Sequence, residues 1–332
     1  MEKVIAVVVT YNRQALLSEC IAALRKQSRP LDAILVINND STDLTELWLQ
    51  KQKDIYFVTQ KNVGSSGGFS TGIKWAYQKG YSWVWCMDDD GYPKEDALEN
   101  LLEADDGTLK LMNCAVIDKS DKRSFVWKTQ QYKHIDEVDC NIIDGIGHPF
   151  NGTLLHRRVI ERVGVPLPKY FLWGDETEYY YRIVKRNKIP VCTVTKSIHY
   201  HPSAAFSVKN DWDYKSSWKM YFYVRNRFHI HQVKFNLKIT ALLNYCCFLI
   251  AFAGTILVYQ KTDKIKKLGF IMWPAADAFT NNFEATPPLI LSRLNSMPTH
   301  SLSISINNYL KTIWTTLLLP FTPQRNRRAA NA

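Results

Sequence analysis

Short runs of consecutive apolar residues, each closed by polar residues and followed by helical apolar spacing, set the pattern of the first quarter of the chain. Residues 4–9 (VIAVVV), 33–37 (AILVI), 55–58 (IYFV) and 81–87 (YSWVWCM) read as strands. The unbroken β-branched run of the first is the mark of a parallel strand buried on both faces, and the second and fourth also read as buried strands. Residues 15–26 carry Leu16, Leu17, Ile21 and Leu24 on one helical face, and 44–50 and 69–78 also read as helices. Strand and helix alternate with short connections, so a mostly parallel α/β sheet with right-handed crossovers and flanking helices is expected. Further on, residues 111–117 and 191–198 read as strands and 145–153 as a loop. Pro93-Lys94-Glu95-Asp96 has the form of a helix start.

The last third has a different pattern. Residues 216–231 alternate aromatic and basic side chains at helical spacing. Residues 239–259 are 21 positions without a charge, with Lys234, Lys238, Lys261, Lys264, Lys266 and Lys267 around them. As a helix this stretch is about 31 Å long, enough to span a bilayer, and it also suits a helix lying in the interface or packed on the domain. Two regions are therefore expected: an α/β domain over 1–205 and a helical, basic, membrane-associating region over 206–332.

Charge follows the same division. The chain carries +11, yet residues 1–204 hold 26 basic and 26 acidic side chains, so the whole excess lies in the last third. Because that third also holds the most apolar segment, the excess points to an anionic membrane surface and away from nucleic acid. Seven cysteines with no CxxC pair argue against a disulfide framework or zinc ribbon and for a reducing compartment. No signal peptide is expected, since Met1-Glu2-Lys3 runs straight into the first strand.

The candidate chemistry sits at strand ends, where ligands bind in parallel α/β sheets. The first ends in Thr10-Tyr11-Asn12-Arg13, the second in Asn38-Asn39-Asp40-Ser41-Thr42-Asp43, the third leads to Asn62-Val63-Gly64-Ser65-Ser66-Gly67-Gly68-Phe69, and the fourth to Asp88-Asp89-Asp90-Gly91. Three adjacent carboxylates repel one another and call for a cation, best a hard divalent ion that also bridges phosphates. An acidic turn capping the next helix is the alternative. The glycine-rich stretch lacks P-loop and dinucleotide spacing and reads as a turn where backbone approaches a ligand closely. Trp173-Gly174-Asp175-Glu176-Thr177-Glu178 places three carboxylates at a helix start, favoured by its positive end or by a capping box of Asp175 and Glu178. His199 and His201 close a strand and offer a nitrogen ligand.

Asp88-Asp89-Asp90, Asp175-Glu176-Thr177-Glu178 and His199, in that order, resemble family 2 glycosyltransferases of the GT-A fold over about residues 3–230. The glycine-rich stretch and Phe171-Leu172-Trp173-Gly174-Asp175-Glu176 are similar to the galactofuranosyltransferase branch, and Tyr221-Phe222-Tyr223-Val224-Arg225-Asn226-Arg227 is similar to a helix of bacterial rhamnosyltransferases. The resemblance implies a nucleotide site of Thr10, Tyr11, Arg13, Asn38, Asp40, Asn62, Gly67, Asp88 and Asp89, with Asn38 where the family usually has an aspartate on the base. It implies Mn²⁺ or Mg²⁺ held by Asp90, Asp88 and His199, with His201 as the substitute. It implies Glu176 as catalytic base with Asp175 as runner-up, and Trp173, Gly152 and Glu178 around the donor sugar and acceptor. The implied reaction is inverting, from UDP-galactofuranose, or alternatively dTDP-rhamnose, to a lipid-linked glycan at the cytoplasmic face of the inner membrane. A non-catalytic binding protein of the same fold and a nucleotidyltransferase are the competing readings. The acidic motif and candidate base disfavour the first, and the lack of a Gly/Arg/Lys signature after the first strand disfavours the second.

Overall fold

A computed structural model describes residues 2–203, 208–213 and 217–296. Two compact units divide the chain, residues 1–205 and 206–332, with 297–332 outside the described residues.

The first unit is a mixed α/β sheet. Four strands are parallel and adjacent in the order β3 (Tyr56–Thr59), β2 (Ala33–Asn38), β1 (Val4–Thr10), β4 (Trp83–Asp88). The helices α1 (Gln14–Arg25), α2 (Thr45–Gln50) and α3 (Gly64–Gln78) connect them. Every residue of β1 and β2 is buried, as continuous apolar runs require when both sheet faces are covered. Strand order reverses between β1 and β4, so a crevice opens there beyond the strand ends. Register places Thr10 beside Asn38, Val9 beside Asp88 and Asn38 beside Thr59, which aligns the polar ends.

Beyond β4 the parallel arrangement stops. β5 (Tyr92–Pro93) stands where a helix start was expected, and α4 begins only at Ala97 (Ala97–Glu103). After β6 (Leu111–Asp118), a hairpin of β7 (Ser124–Thr129) and β8 (Tyr132–His134) leaves the sheet. β9 (Ile142–Asp144) precedes β10 (Asn151–His156), which inserts antiparallel between β4 and β6 and takes the end of the expected loop into the sheet. The short α5 (Arg157–Val163) and α6 (Asp175–Tyr181) follow. The last strand, β11 (Val191–His201), runs parallel to β6 and pairs antiparallel with β5, His199 beside Pro93 and Tyr200 beside Tyr92. That pairing carries the end of β11 to the acidic turn after β4.

The second unit is helical: α7 (Lys219–Lys234), α8 (Lys238–Tyr259), α9 (Lys264–Thr280) and α10 (Pro287–Ser296). α7 is its centre. Arg225 is fully buried, with its guanidinium 4.9 Å from the Phe222 ring and 4.8 Å from that of Phe283. The Tyr221 hydroxyl donates to Asp277, and the Tyr245 hydroxyl to the Val224 carbonyl at 3.1 Å. The motif around Arg225 and Asn226 therefore builds this unit's interior. α8 buries Ala241, Tyr245, Phe252 and Ile256 on one side, while Ile239, Leu243, Ile250, Leu257 and Val258 on its remaining surface are exposed. It is the one helix among the described residues long and apolar enough to cross a membrane.

Candidate active site

At the crevice between β1 and β4, the Thr10 hydroxyl donates to Asp89 Oδ2 at 2.7 Å. One Arg13 nitrogen lies 3.2 Å from Asp89 Oδ1 and 2.8 Å from Asp90 Oδ2. One guanidinium thus bridges two carboxylates that β4 delivers side by side. Burial raises Asp89 to about 6 against the opposing pull of Thr10 and Arg13. Burial works against ionisation of Asp90 too, but His201 and then Arg13 outweigh it and hold Asp90 down at about 2. Asp88 is pushed well up, by desolvation first, then by Asp90 and Asp89, and more weakly by Glu176. The acid pair of α6 therefore lies within electrostatic reach of the acidic turn.

His201 Nε2 stands 3.2 Å from Asp90 Oδ1, a buried oxygen that accepts no hydrogen bond of normal geometry. Cis ligands of an octahedral ion at ~2.1 Å lie ~3.0 Å apart, so this pair fits Mg²⁺ or Mn²⁺. Among the described residues no group of three or more His, Cys, Asp or Glu side chains is placed to hold a metal ion. Two protein ligands with the remaining positions left to phosphate oxygens and water is the usual arrangement for such an ion. His199, the histidine expected at the metal, is fully buried one pleat back, and a Cβ on Gly91 would lie 2.3 Å from its Nε2. Burial, then His201, lowers His199 to about 3, so its ring is neutral.

The acid pair is held by a strained loop. Phe171 (φ 66°), Trp173 (φ 55°) and Gly174 (φ 118°) all have left-handed φ, a cost of about 1–3 kcal/mol at each non-glycine residue that surrounding contacts must offset. α3 supplies those contacts. Ser66 N–H donates to the Phe171 carbonyl at 3.1 Å, the Ser66 hydroxyl to the Leu167 carbonyl at 2.7 Å, and the Ser65 hydroxyl lies 3.3 Å from Asp175 Oδ2. A Cβ on Gly64, itself at φ +74°, would fall 2.0 Å from the Phe171 oxygen. Asp175 is buried with Oδ1 unpartnered, and its acidity is pushed well down by desolvation and then by Glu176. Glu176 is half-buried and accepts the Gly174 N–H at 3.1 Å through Oε2. The helix-start hydrogen bond thus goes to Glu176, not to the expected Asp175–Glu178 box.

Several expected ligand contacts are occupied by protein. The glycine-rich stretch is the first turns of α3, not a ligand-facing turn. Gly67 is buried where a Cβ would lie 2.3 Å from Val63, and Asn62 caps the turn by accepting the Gly64 N–H at 2.9 Å. Asn38 is fully buried, donating to Glu46 at 2.6 Å and accepting the Ser41 N–H at 3.1 Å, so both ends of its amide are used. Glu178 is buried, with both oxygens paired to Arg182 at 3.0 and 3.1 Å, so its nearest partner is this arginine. Gly152 lies beneath Cys114 and His199. Tyr11 and Asp40 are exposed at the ends of β1 and β2, and Trp173 is half-buried beside Asp175. Ser65, and Trp127 with its ring 5.2 Å from that of His201, were not singled out by the sequence reading. Ser65 had a signal, being inside the glycine motif; Trp127, in an irregular segment, had none.

A mixed sheet whose parallel half ends in an acidic turn at its switch point, with a second acid pair within electrostatic reach, is the architecture of a GT-A glycosyltransferase. The family model for "Glycosyl transferase family 2" matches residues 5–164. The galactofuranosyltransferase GlfT1 of Mycobacterium tuberculosis is 30% identical over 222 residues, 63% of this chain and 73% of that protein. The GlfT1 of Mycolicibacterium smegmatis is 31% identical over 216 residues, 60% of this chain and 71% of that protein. The chain belongs to glycosyltransferase family 2. Staphylococcus aureus TarS 1–349 in complex with UDP shares the fold, with TM-score 0.53 and 14% identity over 94% of this chain and 90% of that one.

Proposed function

We propose that this glycosyltransferase moves galactofuranose from UDP-galactofuranose, with inversion, to a lipid-linked glycan in bacterial surface polysaccharide synthesis. The observation that carries the reading is the acid pair Asp175-Glu176 within electrostatic reach of the Asp88–Asp90 turn, in a chain 30% identical to galactofuranosyltransferases. Asp88 would face the ribose, and Thr10 and Arg13 would fix Asp89 beneath the nucleotide. Asp90 and His201 would hold Mg²⁺ or Mn²⁺, which when bound neutralises charge on the departing diphosphate. Glu176 is the general base. Burial and then Glu176 push the pKa of its neighbour Asp175 well up, whereas half-buried Glu176 is the more accessible of the two and is placed to take the proton of the acceptor hydroxyl as that oxygen attacks the anomeric carbon. Trp173 borders the same space.

The second unit fits a peripheral anchor on the cytoplasmic membrane face. α8 presents an exposed apolar surface, and lysines flank it at both ends. The test is a donor panel of UDP-galactofuranose, UDP-galactopyranose and dTDP-rhamnose with a synthetic lipid-linked acceptor. Transfer from UDP-galactofuranose is expected. Preference for dTDP-rhamnose would reassign the donor, and no transfer from any would sink the reading.

A further inference from the structure

The β7–β8 hairpin is attached to the main sheet by a single residue pair, Ile117 with Phe125. An open cavity of about 520 Å³ lies along it, within the ~300–1,000 Å³ range of small-ligand sites. Trp127 belongs to two places. It lines this cavity, and its ring sits 5.2 Å from His201 and 5.0 Å from His148. Because His201 Nε2 is itself 3.2 Å from Asp90, the cavity lies one aromatic ring away from the acidic turn.

We infer that this cavity is a subsite for the glycan portion of the acceptor, taking a neutral carbohydrate. The inference rests on the glycosyl-transfer reading above. Half-buried Trp127 and Tyr132 offer ring surface to the C–H faces of a sugar, while the Gln131 amide and the part of the Gln130 amide not given to the Asp144 carbonyl offer partners for its hydroxyls. Among the described lining residues Lys133 is the one lysine, arginine or carboxylate side chain. A phosphate or a lipid headgroup would require several cations here, and an acyl chain would find amides where it needs apolar walls. His148, on the other side of Trp127, is held neutral, its pKa lowered by burial to about 4. Trp127 gives the subsite its direction: a sugar stacked beside it continues toward the centre where His201 meets Asp90.

The direct test is ligand-observed saturation-transfer NMR on the full chain with UDP and diamagnetic Mg²⁺ present. The probes are octyl glycosides of one, two and three galactofuranose residues. Saturation is expected on sugar protons, stronger for the longer probes. It should fall at least ~10-fold in the Gln131→Ala/Tyr132→Ala double variant, while UDP affinity stays within about twofold. These two residues touch neither Asp90 nor the acid pair, so a retained UDP affinity certifies the fold. If no probe is saturated by the wild type, or the double variant is saturated as strongly, the subsite is wrong. Probe binding without transfer from UDP-galactofuranose would leave the subsite standing and sink the donor assignment instead.

Discussion

Carboxylates in this crevice are pushed in opposite directions because their surroundings differ by a few ångströms. Asp90 faces His201 and Arg13, which hold its pKa at about 2; Asp175 is buried beside Glu176, and desolvation and that neighbour push its pKa well up. Asp90→Ala and His201→Ala are each expected to abolish the enhancement of UDP affinity by Mn²⁺, read by calorimetry with and without the ion. A His199→Gln variant that loses the enhancement while His201→Ala keeps it would move the ligand one pleat inward. Glu176→Gln keeps size and the Gly174 contact but cannot accept a proton. Turnover should fall by about 10²–10⁴ with UDP affinity unchanged. Asp175→Asn should act mainly on acceptor KM or stability, and the opposite pattern would invert the assignment. His148 supplies a pH signature. Its proton leaves at about 4 in the fold and near 6.5 in the unfolded chain, so its contribution is intact above pH 6.5 and lost as pH falls toward 4. His148→Gln should flatten the decline of the unfolding free energy across that window, a slope of at most about 1.4 kcal/mol per pH unit, read from denaturation at a series of pH values.

At the level of elements, α3 shows how a motif can be read in place yet misread in role. Glycines at 64, 67 and 68 suggested backbone near a ligand; they bring a helix against β1 and against the loop that carries the acid pair. Gly64→Ala tests this. The left-handed φ costs an alanine about 1–2 kcal/mol, and the clash with the Phe171 carbonyl adds to it. A Tm lowered by several degrees with turnover lost is expected, and a variant as stable and active as wild type would remove the clamp. β5 is the other instructive element. Pro93-Lys94-Glu95-Asp96 has local helix-start chemistry, but pairing with β11 holds Tyr92–Pro93 extended, and that pairing brings His201 to Asp90.

For the whole molecule, the basic excess and the apolar surface of α8 make a joint prediction. The protein should pellet with anionic liposomes, and binding should weaken with salt as surface charges are screened. Ile250→Glu, at a position 73% exposed, should reduce pelleting at all salt concentrations without lowering Tm. Equal pelleting of variant and wild type would take α8 out of the contact. Association that survives high salt and alkali would instead point to a spanning helix.

Strand–helix alternation, the buried parallel strands and the polar strand ends were legible because they are local. Unbroken β-branched runs such as Val4–Thr10 have few ways to be buried, and carboxylates placed together in sequence stay together in space. What tertiary structure alone decided depends on contacts between distant segments. β10 entering antiparallel after β4, Arg182 claiming Glu178, Glu46 claiming Asn38, and His201 rather than His199 meeting Asp90 are outcomes of strand order and register. A shift of two positions along β11 keeps a side chain on the same face and moves it by about 6.6–6.8 Å. The sequence around His199 and His201 carries no term for that distance; the pairing of β11 with β5 sets it.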